Sequence, residues 1–158
     1  MSNKATITAN PGESTTSIER IFDVEKSKLQ KAISTKELIA KWWTGPGYEV
    51  TVEEFDTQEG GKWRYVQRKG DEEYAFYGVF HEYTPDRVVQ TFEFSGLPER
   101  GHVILEKMTL AELDGGKTKL NVTQAFLSTQ DRDGMLQSGM EEGMNQTYNV
   151  LEELAKTL

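Results

Sequence analysis

From Thr15 to about Leu127, apolar and polar residues alternate in short runs, a period of two that predicts β-strands, and beyond Asp131 the period lengthens to three and four. The predicted strands lie at about 15–24, 48–56, 61–68, 73–83, 87–95, 101–113 and 117–127. Turn residues divide the last six at Glu59-Gly60-Gly61, Lys69-Gly70-Asp71, Thr84-Pro85-Asp86, Ser95-Gly96-Leu97-Pro98 and Asp114-Gly115-Gly116. Such short connections favour an antiparallel meander, because a parallel crossover needs about a dozen residues or more. Ser27 with Gln30 and Ser34 with Glu37 have the spacing of capping boxes and predict short helices at about 26–33 and 35–43, ended by Gly45-Pro46-Gly47. Asp131 is expected to cap one long helix over 131–157, with Leu136, Met140, Met144, Tyr148, Leu151 and Leu154 on its apolar side. Glycine in a helix interior costs about 1 kcal/mol relative to alanine. Gly139-Met140 and Gly143-Met144, one turn apart, therefore suggest a helix lying close to a sheet over an adaptable apolar space.

One strand, two small helices, six antiparallel strands and a closing helix make an α+β chain in the order β-α-α-β6-α. The sheet must curve around the helix, since a flat sheet under one helix would leave too much aromatic surface wet. Residues 1–14 read as a flexible N-terminal arm with a turn at Asn10-Pro11-Gly12 and room for a short strand at its end, and residues 15–158 as a single domain. A chain of 158 residues is long enough to bury about 68–70% of its unfolded surface.

The period of two also assigns faces. Pairing Tyr83 with Val88 across the Thr84-Pro85-Asp86 turn sets His81 opposite Gln90, Val79 opposite Phe92 and Tyr77 opposite Phe94, all on the inward side. A bulge would invert part of that assignment. Trp63 and Tyr65 share a face of their strand, as do Leu120, Val122, Gln124 and Phe126 of the last one. The expected lining is thus Trp63, Tyr65, Tyr77, Phe92, Phe94 and Phe126, closed by Met140, Met144 and Tyr148, with Trp43 at the rim. His81, Gln90 and Gln124 are its polar groups. Apolar walls with a few placed polar side chains are the composition of a ligand pocket, although the same residues could simply fill a core.

Charge and inventory narrow the chemistry. A net charge of -8, with 26 acidic and 18 basic residues and no basic cluster, argues against nucleic acid or an anionic membrane as partner. No stretch reaches the roughly 18 apolar residues of a membrane span, and the expectation is a cytoplasmic protein. The chain has no cysteine, and His81 and His102 lack further ligands at a fixed spacing, so no metal site, cofactor or catalytic nucleophile is expected.

Arg20-Ile21-Phe22-Asp23, Leu38 to Trp43, Gly60-Gly61-Lys62-Trp63, Gly78 to Pro85, Arg87-Val88-Val89 and the segment Gly134 to Leu151 together resemble the START-like superfamily, also called SRPBCC or helix-grip. Within it the resemblance is to the activator of heat shock protein 90 ATPase homologue-like family, over about residues 16–157. It implies a curved antiparallel sheet wrapped around the C-terminal helix, with a cleft between them, in a single START-like domain. The leading reading is a non-enzymatic module that binds a small hydrophobic or amphipathic molecule. A second, implied by the resemblance, is a chaperone-associated domain. The third is a polyketide cyclase or aromatase-like enzyme, for which His81 would be the acid or base.

Overall fold

The computed structural model describes residues 4–43 and 47–158, and the expected helix stop at Gly45-Pro46 lies outside the described residues. In chain order the elements are β1 (Thr6–Thr8), β2 (Thr15–Phe22), α1 (Lys26–Ser34), α2 (Lys36–Trp42), β3 (Glu49–Phe55), β4 (Lys62–Lys69), β5 (Glu72–Tyr83), β6 (Arg87–Phe94), β7 (Ile104–Leu113), β8 (Lys117–Ala125), α3 (Thr129–Gln137) and α4 (Met140–Lys156). All strands join one antiparallel sheet in the order β1-β2-β8-β7-β6-β5-β4-β3. The hairpin run β3 to β8 is contiguous in it, and β2 closes on β8. This is the α+β helix-grip architecture.

Several local expectations are corrected. Thr6–Thr8, within the segment expected as a loose arm, forms edge strand β1 against β2, and the amide of Ala5 donates to Asn145 Oδ1 at 2.9 Å. The capping boxes are not used: α1 and α2 begin after extended Glu25 and Thr35, neither with a side-chain cap. Ser34 instead accepts a hydrogen bond from the Tyr83 hydroxyl at 2.7 Å. The expected single helix over 131–157 is broken. Ser128, not Asp131, caps α3, accepting from the Asp131 amide, and the chain turns at Gly139 with φ 85° before α4 starts. That left-handed conformation is open to glycine without the Cβ clash other residues meet, so Gly139 is a helix stop and not an interior residue.

α4 is deeply buried towards its C-terminal end, and its N-terminal half is held by the Ala5 amide on Asn145. Leu151, Glu152 and Ala155 are buried, and α1 and α2 pack on this helix. Towards the break, Met140, Met144 and Tyr148 are only half-buried and Gly143 is exposed. Nothing lies within 4 Å of a Cβ built on Gly143, so this glycine does not bring the helix against the sheet as the sequence suggested. Gly143→Ala should therefore raise stability by about 1 kcal/mol through helix propensity. In a chain of this length that shifts the thermal midpoint up by roughly 2–4 °C. A lowered midpoint would show that the space above the sheet is needed empty for folding.

Candidate functional site

Beneath the N-terminal half of α4 the concave face of the sheet encloses a cavity of about 570 Å³. Its walls are rings: Trp43, Phe55, Trp63, Tyr65, Phe76 and Phe92 among them. They pack edge-on or tilted, with centroids 4.8 Å apart for Trp63 and Tyr65 and 4.7 Å for Trp43 and Phe76, so each holds the next in place. Met108, Met135, Met140 and Met144 supply flexible apolar surface. Ser138, Gly139, Gly143 and Gln146 border the cavity and remain exposed, which sets its mouth beside the break between α3 and α4.

Across this apolar floor runs one row of polar side chains. Gln90 on β6, Glu106 on β7, Gln124 on β8 and Thr16 on β2 are direct cross-strand neighbours. Gln90 Nε2 donates to Glu106 Oε1 at 3.0 Å and Gln124 Nε2 to Glu106 Oε2 at 2.7 Å. The Thr16 hydroxyl donates to Gln124 Oε1 at 2.8 Å. Glu106 borders the cavity and is half-buried, with each carboxyl oxygen accepting from a side chain of a flanking strand. Desolvation raises its pKa above the ordinary carboxylate value, and the hydrogen bonds from Gln124 and Gln90 offset only part of that rise. Burial likewise pushes up the phenols of Tyr65 and Tyr148, which stay neutral.

The cavity brings together Trp43, Trp63, Tyr65, Gln90, Phe92, Phe94, Gln124, Met140, Met144 and Tyr148 of the residues expected to line it. Tyr77, His81 and Phe126 are corrections. Register on β5 shifts between Phe80 and Glu82, where Phe80 pairs with Gln90 and Glu82 with Val89, leaving His81 as the extra residue of a bulge. Every assignment N-terminal to it is inverted: Phe76 and Phe80 face the cavity, whereas His81 is exposed. Tyr77 lies on the outer side, its ring 5.3 Å from the Arg64 guanidinium and 5.2 Å from that of Arg100. Phe126 is buried but does not line the cavity. The enzyme reading thereby loses the acid or base chosen for it. Glu106, which sequence reasoning missed, is the titratable group that could have been found, since Ile104, Glu106, Met108 and Leu110 share one side of a strand otherwise apolar there. Among the described residues no group of three or more potential metal ligands occurs, and no helix is long and apolar enough to cross a membrane.

Glu106 has a pH signature. Because its pKa is higher in the folded than in the unfolded chain, it favours folding while protonated, fully so below the unfolded value, and that contribution is lost as pH rises through the folded one. Urea midpoints of wild type and Glu106→Gln across about pH 4 to 8, which spans the ordinary carboxylate range and the region above it, should show wild type losing stability relative to the variant as pH rises. Parallel profiles would mean that the carboxyl is solvated.

Known proteins resemble this chain in sequence pattern and in shape. The family described as Activator of Hsp90 ATPase homolog 1-like protein matches residues 23–156. No curated protein matches the chain. Among solved structures, a Rhodobacter sphaeroides protein superposes with a TM-score of 0.87 at 21% identity, covering 98% of this chain and 99% of its own. Protein Ms6760 from Mycobacterium smegmatis does so with a TM-score of 0.83 at 21% identity, covering 95% and 96%. Ara h 8.0201 is more distant, with a TM-score of 0.70 at 17% identity over 91% and 98%. At these identities the likeness is one of fold.

Proposed function

The chain belongs to the Activator of Hsp90 ATPase homolog 1-like family, in the START-like superfamily, and from that premise we propose that it binds a small hydrophobic or amphipathic molecule between the sheet and α4. The observation that carries this reading is the cavity of about 570 Å³, within the usual 300–1,000 Å³ of small-molecule sites, walled by rings and crossed by a single polar row. Apolar area removed from water, at about 25 cal/mol per Å², supplies the affinity. Gln90, Glu106 and Gln124 orient one polar group. Trp43, Trp63, Tyr65, Phe92, Phe94, Met140, Met144 and Tyr148 hold the apolar body.

Titration with an uncharged solvatochromic naphthalene ketone tests the proposal. A saturable blue shift with one dye per chain is expected. Emission that rises linearly with dye, without saturation, would contradict it.

A second reading, contact with a chaperone ATPase, rests on the family description. Its test is separate. Stimulation of a purified Hsp90 ATPase by this chain, undiminished when the cavity is filled with the ketone, would favour that role over ligand binding.

A further inference from the structure

We propose that the cavity selects a hydrophobic amine, whose protonated nitrogen pairs with the Glu106 carboxylate while the surrounding rings hold its apolar part. This inference rests on the cavity-binding reading above and names its ligand class. Among the described residues Glu106 is the one acidic side chain lining the cavity, and no lysine, arginine or histidine lines it. The nearby buried cation is committed elsewhere: Arg20 donates to Glu152 and Asn149. Both Glu106 oxygens therefore have only amide donors, one from Gln90 and one from Gln124. Each carboxylate oxygen can accept a further hydrogen bond. Desolvation disfavours the ionised carboxyl in the folded protein, so a cation arriving beside it in a low-dielectric setting stabilises the carboxylate and offsets what burial removed.

Its surroundings suit a cation as well. Tyr65 and Tyr148 lie close enough for the Glu106 charge to raise their pKa values, and with Trp63 they offer ring faces to a positive nitrogen. The chain's net charge of -8 attracts cations and repels anions. A fatty acid or other apolar carboxylate would set its charge against Glu106 with no counter-ion at hand, so the same residue that favours an amine rejects an acid.

A matched probe set separates this inference from the reading it rests on. Calorimetric titrations with 2-(2-naphthyl)ethylamine, 2-(2-naphthyl)ethanol and 2-naphthylacetate share an aromatic body and differ in charge. Wild type should bind the amine about tenfold or more tightly than the alcohol, a gap of about 1.4 kcal/mol, and the acid most weakly. In Glu106→Gln the preference for the amine over the alcohol should vanish. Alcohol binding without preference for the amine in wild type, or a preference that survives Glu106→Gln, would overturn the amine inference while leaving the cavity reading intact. Failure of every probe, the alcohol included, would overturn both. The wild-type comparison decides even if the variant does not fold.

Discussion

Glu152→Ala is expected to destabilise the protein by about 3–5 kcal/mol, the usual cost of removing one partner from a buried ion pair. Arg20 is fully buried on β2, and its guanidinium donates to Glu152 Oε2 at 2.5 Å and to Asn149 Oδ1 at 2.9 Å. The other Glu152 oxygen accepts from the Asp23 amide at 3.1 Å. Alanine would leave the buried Arg20 cation without its carboxylate, with Asn149 still accepting from it, and would remove the side-chain acceptor of the Asp23 amide. The Phe22 ring, 4.7 Å from the guanidinium, cannot replace a charge. Joint replacement by Arg20→Met and Glu152→Leu should cost far less than the single change, because it also removes the desolvation of both ions. Urea unfolding of the two variants measures this. A single-variant loss under about 1 kcal/mol, the level of an exposed pair, would show that the pair is solvated. The consequence reaches the cavity: this pair fixes the far end of α4 to the sheet, and the near end projects over the cavity from there.

The other large effect concerns binding. Met140 and Met144 lie one turn apart on α4, both half-buried and both facing the cavity. Met144→Trp places a larger ring in that space, and Met140→Trp with Met144→Trp places two. Binding of the uncharged ketone should fall by about tenfold or more in the double variant, a loss of about 1.4 kcal/mol or more. Overpacking a tight core costs about 1–3 kcal/mol. Here the rings enter open volume, so the thermal midpoint should fall by less than that cost implies. Unchanged dye affinity in a folded double variant would mean that the dye binds elsewhere.

The fold was legible because alternation, turn residues and short connections all favour the same antiparallel run. Trp63 with Tyr65, and Leu120, Val122 and Gln124, face the cavity as period-two reasoning placed them. What failed was local. The β5–β6 register is right at the turn, Tyr83 opposite Val88, and wrong beyond it, because a single bulged residue leaves no mark in composition and inverts the β5 side chains past it, while Gln90, Phe92 and Phe94 of β6 stay inward. His81 was lost from the site for that reason, together with Tyr77. The helix break was hidden by its own stripe: Leu136 and Met140 keep a four-residue step across Gly139, so periodicity continues where the backbone does not. Glu106 stands beside Lys107 as one of two consecutive charges, although its parity with Ile104, Met108 and Leu110 puts it inside. Its importance comes from three strands placing Gln90, Glu106 and Gln124 side by side, which no single segment displays.

Methyl-labelled methionine offers the most direct view of the proposed site, since Met108, Met135, Met140 and Met144 line the cavity from three different elements. In carbon-proton spectra recorded during titration with the uncharged ketone, all four methyl resonances should move together and yield one dissociation constant. If those resonances stay still while amides on the outer side of the sheet around Val79 and Leu105 shift instead, the ligand does not enter between the sheet and α4, and the central claim is contradicted.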